Sequence, residues 1–337
     1  MKNENEQRWY DRDQNKKRSR SYRYMKNYSG AVFPNASGQT HSRRPMGRLR
    51  IGFILFSLGL VLFGAVKLIT YLADSHQSKQ TEADLQTIFE QDTPLPSIVP
   101  TVYPEEEPTP SATQAAMPTA TPAPQIKLYY QDLRGTMLPQ MEKLHNENHD
   151  IVAWINIPKV VSAPVVYRNN TYYLDHDFYG RKNNGGTIFL DEGHPLTEPA
   201  QNLLLYGHNM RDGTMFGHLA KYRDRSYWKE HCIIQFSTLY AQENYVVFAA
   251  MVVSTDPASP DYVNFAGHST FHSVSEFDAY MADVQKHSVY PWRIDVTASD
   301  ALLTLSTCLD ENRVILLSRR FRQDETEDSL LRIIRAW

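Results

Sequence analysis

One stretch settles the layout of this chain before anything else is read. Ile51–Ala73, IGFILFSLGLVLFGAVKLITYLA, is a 23-residue run of almost unbroken apolar character. Its first 16 residues carry no charge, and its one charge, Lys67, stands near the far end. There a long stem lets the ammonium reach the interface. As a helix the run rises roughly 34 Å, enough to cross a bilayer. A cleaved secretory signal has a shorter apolar core and small residues at −3 and −1. Cleavage after Ala73 would put Tyr71 at −3. The run is therefore read as an uncleaved, single-pass membrane anchor. Its flanks give the orientation. Residues 1–50 hold 13 Lys or Arg against 4 Asp or Glu, and residues 74–337 hold 21 against 34. The overall net charge of −3 hides this asymmetry. The basic flank is expected to stay in the cytoplasm and the acidic part to lie outside.

Residues 1–50 are expected to be a disordered basic tail. QRWYDRDQNKKRSRSYRYMK interleaves Arg and Lys with Tyr, a pattern that also suits stacking on nucleic-acid bases. Beside an anchor, the simpler role is topology and contact with anionic lipid, with no nucleic-acid partner. Residues 74–125 are expected to be an extracytoplasmic Pro/Thr-rich linker. It opens with a short polar helix over 74–90, and nine prolines fall in 91–125. Such a stretch is a semi-extended spacer that buries no core. Residues 126–337 are left for one folded domain.

Within that domain, Leu133 to Asn148 reads as a short helix with Pro139 as a possible break. Eight strand-like runs follow: 151–157, 160–167, 185–190, 202–206, 232–236, 245–254, 301–308 and 313–321. Aromatic residues make up 12% of the chain, with 20 Tyr, which suits β-structure. Short strands separated by Gly, Asn and Asp turns indicate a mainly β fold, a closed antiparallel or mixed barrel. The run 269–287 interrupts the series, because Phe271, Val274, Phe277, Tyr280, Met281 and Val284 recur at helical spacing. A helix inserted between late strands is the simplest account.

There are two cysteines, so a disulfide-dense scaffold and a four-thiolate zinc site are both excluded. Cys308 ends an apolar strand, LDEN follows, and Arg313 opens the return strand. If Leu309 to Asn312 is the whole loop, Cys308 and Arg313 oppose each other across an antiparallel pair and share a face. A fixed cation favours a thiolate and can hold a developing oxyanion. The plain alternative is a small packed Cys beside a surface Arg. A thiol nucleophile also needs a proton-transfer partner. Among the 12 His, His208 follows an apolar strand and a Gly, while His176, His194 and His218 compete with it. A metal site from His176, Asp177, His194, His208 and His218 lacks zinc spacing, and none is expected. Cys232 reads as a packing residue, with a Cys232–Cys308 disulfide as the other option.

At this point the residues carry a resemblance. From about Asn148 to Phe321 the chain resembles the sortases, and within them class B. The stretches that carry it are DIVAWINIP, NNTYYLDHDFYG, GGTIFLDE, LLYGHNMRDGTMFGHLAKY and LLTLSTCLDENRVILL. The anchor, the spacer and the helix at 269–287 agree with that family's layout. The resemblance implies an eight-stranded sortase-type β-barrel with an N-terminal helix and an inserted helix between late strands, preceded by one transmembrane helix. It implies a peptidase-class cysteine transpeptidase on a Gram-positive cell surface. Such an enzyme cuts a C-terminal sorting signal after Thr and holds the acyl group as a Cys thioester. It then passes that group to an amine of peptidoglycan or of a pilin, without metal or organic cofactor. Carried onto this sequence, Cys308 matches the nucleophile, His208 the general acid/base and Arg313 the oxyanion partner. Asn170, Tyr206, Ser306 and Thr307 match groove positions, Thr307 through its backbone. One departure is that class B members often have a longer loop between the Cys and the Arg.

Two other classes fit parts of the sequence. A surface cysteine protease would release product to water with no dependence on an amine. A non-catalytic adhesin would display the barrel on its stalk and would need no convergence of Cys308, His208 and Arg313.

Overall fold

A computed structural model describes residues 47–90, 136–194 and 200–336. The basic tail before residue 47 and the Pro-rich stretch 91–125 lie outside the described residues, as does the expected domain start at 126. The chain divides into two compact units, residues 1–74 and 75–337.

The first unit carries the apolar stretch of helix α1 (Gly47–Glu90), a helix long and apolar enough to cross a membrane. Phe53, Phe56, Val61, Phe63 and Ile69 are each more than 60% exposed. That is a surface suited to lipid rather than water.

The second unit begins with the last part of α1. The short polar helix expected over 74–90 is present, but it is continuous with the apolar part. DSHQSKQTEADLQTIFE contains no Gly or Pro to break it. It is also more than a linker. Ser75, Ser78, Thr81 and Leu85 recur at three- and four-residue spacing and are buried. Leu85 packs in a cluster with Met141, Leu144, Trp154, Tyr173 and Phe189. The Phe89 ring stacks on Trp154 at 4.6 Å.

The next helix, α2 (Pro139–Glu147), starts at the proline that the sequence reading took for a break. At the first helical position the missing N–H of proline costs nothing. Eight strands then close a barrel: β1 (Ile151–Ile157), β2 (Val161–Val166), β3 (Ile188–Leu190), β4 (Asn202–Tyr206), β5 (Ile233–Thr238), β6 (Gln242–Ser254), β7 (Leu302–Leu309) and β8 (Asn312–Arg320). Their order is β1-β2-β3-β4-β7-β8-β6-β5, closing back on β1. The barrel is mixed, with β2–β3 and β4–β7 parallel and the other pairs antiparallel.

Strand β1 explains its own composition. Ala153, Ile155 and Ile157 join the main core, while Trp154 joins the cluster under α1 and α2. Both faces are covered, so the outward position is aromatic rather than polar. The inserted helix lies between β6 and β7 as expected. It is α4 (Val274–His287), and it starts five residues later than the sequence pattern because the Ser273 side chain caps it by accepting the Glu276 N–H. Two helices escaped the sequence reading: α3 (Arg225–Glu230) and α5 (Glu327–Arg335). The second has a Thr326/Ser329 capping box and buries Leu330 and Ile334.

Candidate active site

The β7–β8 ladder runs without a shift from Leu302↔Arg319 to Leu309↔Asn312. The turn is therefore two residues, Asp310 and Glu311, rather than the four anticipated, and Asp310 takes φ +54°. Asp tolerates this left-handed region better than most residues. Cys308 and Arg313 are register partners. Directly opposed residues on one face bring their Cβ atoms to about 5 Å. Cys308 is exposed at the strand end, while Ser306, two residues back on the same face, is fully buried. Arg313 Nη1 lies 3.5 Å from Ser306 Oγ, and its guanidinium carbon lies 5.7 Å from the centre of the Tyr206 ring. Arg319 is buried and paired with Glu325.

His208 arrives from the neighbouring strand. Strands β4 and β7 are parallel, with Tyr206 opposite Ser306. The Gly207 N–H donates to the Ser306 carbonyl at 3.2 Å. Two residues further along each chain stand Cys308, still on β7, and His208, just past the end of β4. The His208 ring is held at Nε2, which donates to the Leu174 carbonyl at 2.6 Å. A carbonyl only accepts, so Nε2 carries the hydrogen and Nδ1 is the nitrogen left to take or give a proton.

The residues expected in the groove divide. Asn170 Nδ2 donates to Asp191 Oδ2 at 3.0 Å, and Asn170 Oδ1 accepts the Glu192 N–H. The Tyr206 hydroxyl feels the charge of the same Asp191 carboxylate. Burial, then the Asp191 charge, raises the Tyr206 phenol well above its usual range against the pull of Arg313. Tyr206, Ser306 and Arg313 are thus in contact with one another, and Asn170 is held by the Asp191–Glu192 turn. Thr307 is not with them. Its side chain is buried on the opposite face and donates to the Gly207 carbonyl at 2.7 Å.

Asp191 was missed by sequence reading, although it follows a buried strand directly. The competing histidines lie elsewhere. His176 stacks on Tyr172 at 4.2 Å, and His218 backs onto Gly213. His194 is buried, with its carbonyl accepting from the Tyr167 hydroxyl. Among the described residues, no group of three or more His, Cys, Asp or Glu is placed to hold a metal ion. Cys232 is buried and unbridged, and burial pushes its thiol up to about 12. It is a packing residue.

Comparison with known proteins agrees with this fold. The sortase domain family model matches residues 155–320. The chain is 32% identical over 174 residues to sortase B of Staphylococcus aureus, covering 51% of this chain and 68% of that protein. It is 28% identical over 179 residues to sortase B of Listeria monocytogenes, covering 52% and 70%. Among solved structures, sortase B from B. anthracis in complex with AAEK1 superposes with a TM-score of 0.56. The match has 23% identity and covers 75% of this chain and 100% of that one, a likeness of fold. The barrel with its thiol site is that of a cysteine transpeptidase. The chain belongs to the sortase family, in class B.

Proposed function

We propose that this enzyme cleaves a C-terminal sorting signal after Thr and transfers the upstream protein to an amine of peptidoglycan or of a pilin subunit. The observation that supports this reading is the exposed Cys308 opposed to Arg313, with His208 two residues past the end of the adjacent parallel strand.

The Cys308 thiolate attacks the Thr carbonyl carbon and forms an S–C bond. The carbonyl oxygen becomes an oxyanion, held by the Arg313 guanidinium and a nearby backbone N–H. Collapse breaks the scissile C–N bond, and His208, as imidazolium, protonates the departing amine from Nδ1. A thioester on Cys308 remains. An incoming amine attacks it and gives its proton back to His208, the C–S bond breaks, and the thiolate returns. Cys308 and His208 titrate as a pair. Asn170, Tyr206 and Ser306 line the groove that receives the signal, and Thr307 contributes through its backbone. No step calls for a metal or an organic cofactor. Residues 1–50 are placed in the cytoplasm and 51–73 in the membrane, with the barrel outside the cell. The orientation rests on the charge asymmetry across the apolar helix.

The test uses the full chain in detergent micelles, a panel of sorting-signal peptides, added amines and mass detection. Cleavage after Thr with transfer to the amine, absent in Cys308→Ala, is the expected result. Cleavage to the free acid alone, even at high amine, would make the enzyme a hydrolase. No cleavage and no covalent adduct on Cys308 would overturn the reading.

A further inference from the structure

Asp191 follows the last residue of β3 and opens a tight turn. Its N–H donates to the Leu204 carbonyl at 2.9 Å, and its carbonyl accepts the His194 N–H at 3.0 Å. The carboxylate is shared between two donors. Oδ1 accepts the Gly193 N–H at 2.8 Å, closing an Asx turn, and Oδ2 accepts from Asn170 Nδ2 at 3.0 Å. A Cβ on Gly193 would stand 2.8 Å from Oδ1, so glycine leaves the carboxylate its place.

Asn170, in the segment that leaves β2, is gripped at both ends of its amide. Besides the bond from Nδ2 to Asp191, its Oδ1 accepts the Glu192 N–H at 2.9 Å. A carboxylate only accepts and a backbone N–H only donates, so these two neighbours fix which end of the amide is nitrogen and which is oxygen. They also fix its plane. Held by the Glu192 N–H alone, the amide would swing about that one bond. A primary amide has two N–H donors. One is taken by Asp191, and among the described residues Nδ2 has no second acceptor.

Other groups hold the backbone here. Strands β2 and β3 pair just upstream, Val165 with Ile188 and Val166 with Phe189. The Tyr167 hydroxyl donates to the His194 carbonyl at 3.1 Å, with the Glu192 carbonyl at 3.3 Å. The Asn170 N–H donates to Glu192 Oε2 at 3.3 Å. On the other side, Asn169 Oδ1 accepts the Thr171 and Tyr172 N–H groups at 3.1 and 2.8 Å and closes the turn that follows. What Asp191 adds to this scaffold is the orientation of one amide.

We propose that Asp191 is a positioning residue for the sorting signal. It holds the Asn170 amide so that the second N–H donates to a main-chain carbonyl of the extended peptide in the groove. A donor set in advance loses less rotamer freedom on binding than a free one. This rests on the reading of Asn170 as a groove residue.

The test uses full-chain variants in detergent micelles and the sorting-signal peptide that wild type transfers, with kcat, KM and thermal melting measured for each. Asn170→Ala is expected to raise KM about 10-fold with kcat within about twofold, the scale of one hydrogen bond made equally in the ground and transition states. Asp191→Ala is expected to raise KM by about threefold or more in the same way. The double variant is expected to be no worse than Asn170→Ala, since Asp191 acts through that amide. Asp191→Ser separates orientation from turn formation. Its hydroxyl can close the turn onto the Gly193 N–H but has no second oxygen for Asn170. Its KM should therefore match that of Asp191→Ala. A KM restored by the serine, or single losses that add in the double variant, would overturn the proposal. If Asp191→Ala does not fold, Asp191→Ser decides alone, with a wild-type KM decisive against. If Asn170→Ala keeps the wild-type KM, the reading of Asn170 fails and the proposal falls with it. If Asn170→Ala raises KM and the Asp191 variants do not, only the positioning role fails.

Discussion

Cys308 and His208 belong to two hairpins that leave the parallel pair β4–β7, and these are held in different ways. Strands β7 and β8 pair through eight register partners from Leu302 to Asn312, so Cys308 and Arg313 face each other because the ladder counts them into place. The hairpin 208–216 has one isolated bridge and takes its shape from Asp212, Thr214 and a helix more than a hundred residues earlier in the chain. The first site is set by local counting. The second is set by distant contacts. In the proposed roles, a nucleophile and its cation are fixed by a short sequence, while the acid/base group needs a larger part of the fold.

The comparison can be broken at several points. Cys308→Ala is expected to lower transfer by more than about 1,000-fold with melting unchanged, since the nucleophile has no substitute. Arg313→Ala should cost on the order of 100- to 1,000-fold in kcat, the scale of losing an oxyanion donor. The register is tested more sharply by insertion between Asp310 and Glu311. One added glycine reverses the face on which Arg313 lies, and should cost as much as Arg313→Ala. Two added glycines keep the face, and activity should stay within about tenfold of wild type. Equal losses in both would show that counting along the ladder does not place Arg313. Thr307→Val removes the bond that ties β7 to Gly207 at the base of the second hairpin. It should lower stability by roughly 1–2 kcal/mol in urea melts and lower kcat with it.

The smallest effect is in pH. Glu82, facing Asp212 and Lys79, holds its proton more tightly when folded than unfolded, with its carboxyl raised to about 7. The unfolded chain therefore binds fewer protons across this window, and stability from this group rises as pH falls from about 8 toward 5. Melting across that range should show the slope, and Glu82→Gln should flatten it. Further down the scale the sign reverses. Burial pushes the Asp300 and Glu325 carboxyls up, but hydrogen bonds from Arg322 and Arg319 outweigh it and hold both below the usual carboxylate range. Their contribution is lost as pH falls through those lowered values.

What was legible in the sequence follows the same division. The strands, the inserted helix and the Cys308–Arg313 pairing are written in periods of two and 3.6 residues and in loop length, which a sequence displays directly. His208 could be singled out as a loop residue after a strand, but nothing local separated it from His176, His194 and His218. Its choice rested on family resemblance. Asp191 was missed because an acidic residue in a polar stretch looks the same whether it meets water or a neighbouring loop. The segment Ser75–Glu90 read as a linker helix for a related reason. Its buried stripe is Ser, Ser, Thr and Leu, too polar to announce a packed face, and its partners lie far along the chain.

Barrel closure has a consequence for recognition. Each of the eight strands has a neighbour on both sides, so the sheet presents no open edge to a passing extended chain. A flexible peptide tail cannot dock here by adding itself as a ninth strand, the route that would accept almost any backbone. Selectivity must come from side chains reading side chains. On a surface crowded with loose polypeptide ends, a closed sheet keeps an exposed thiol from sampling all of them.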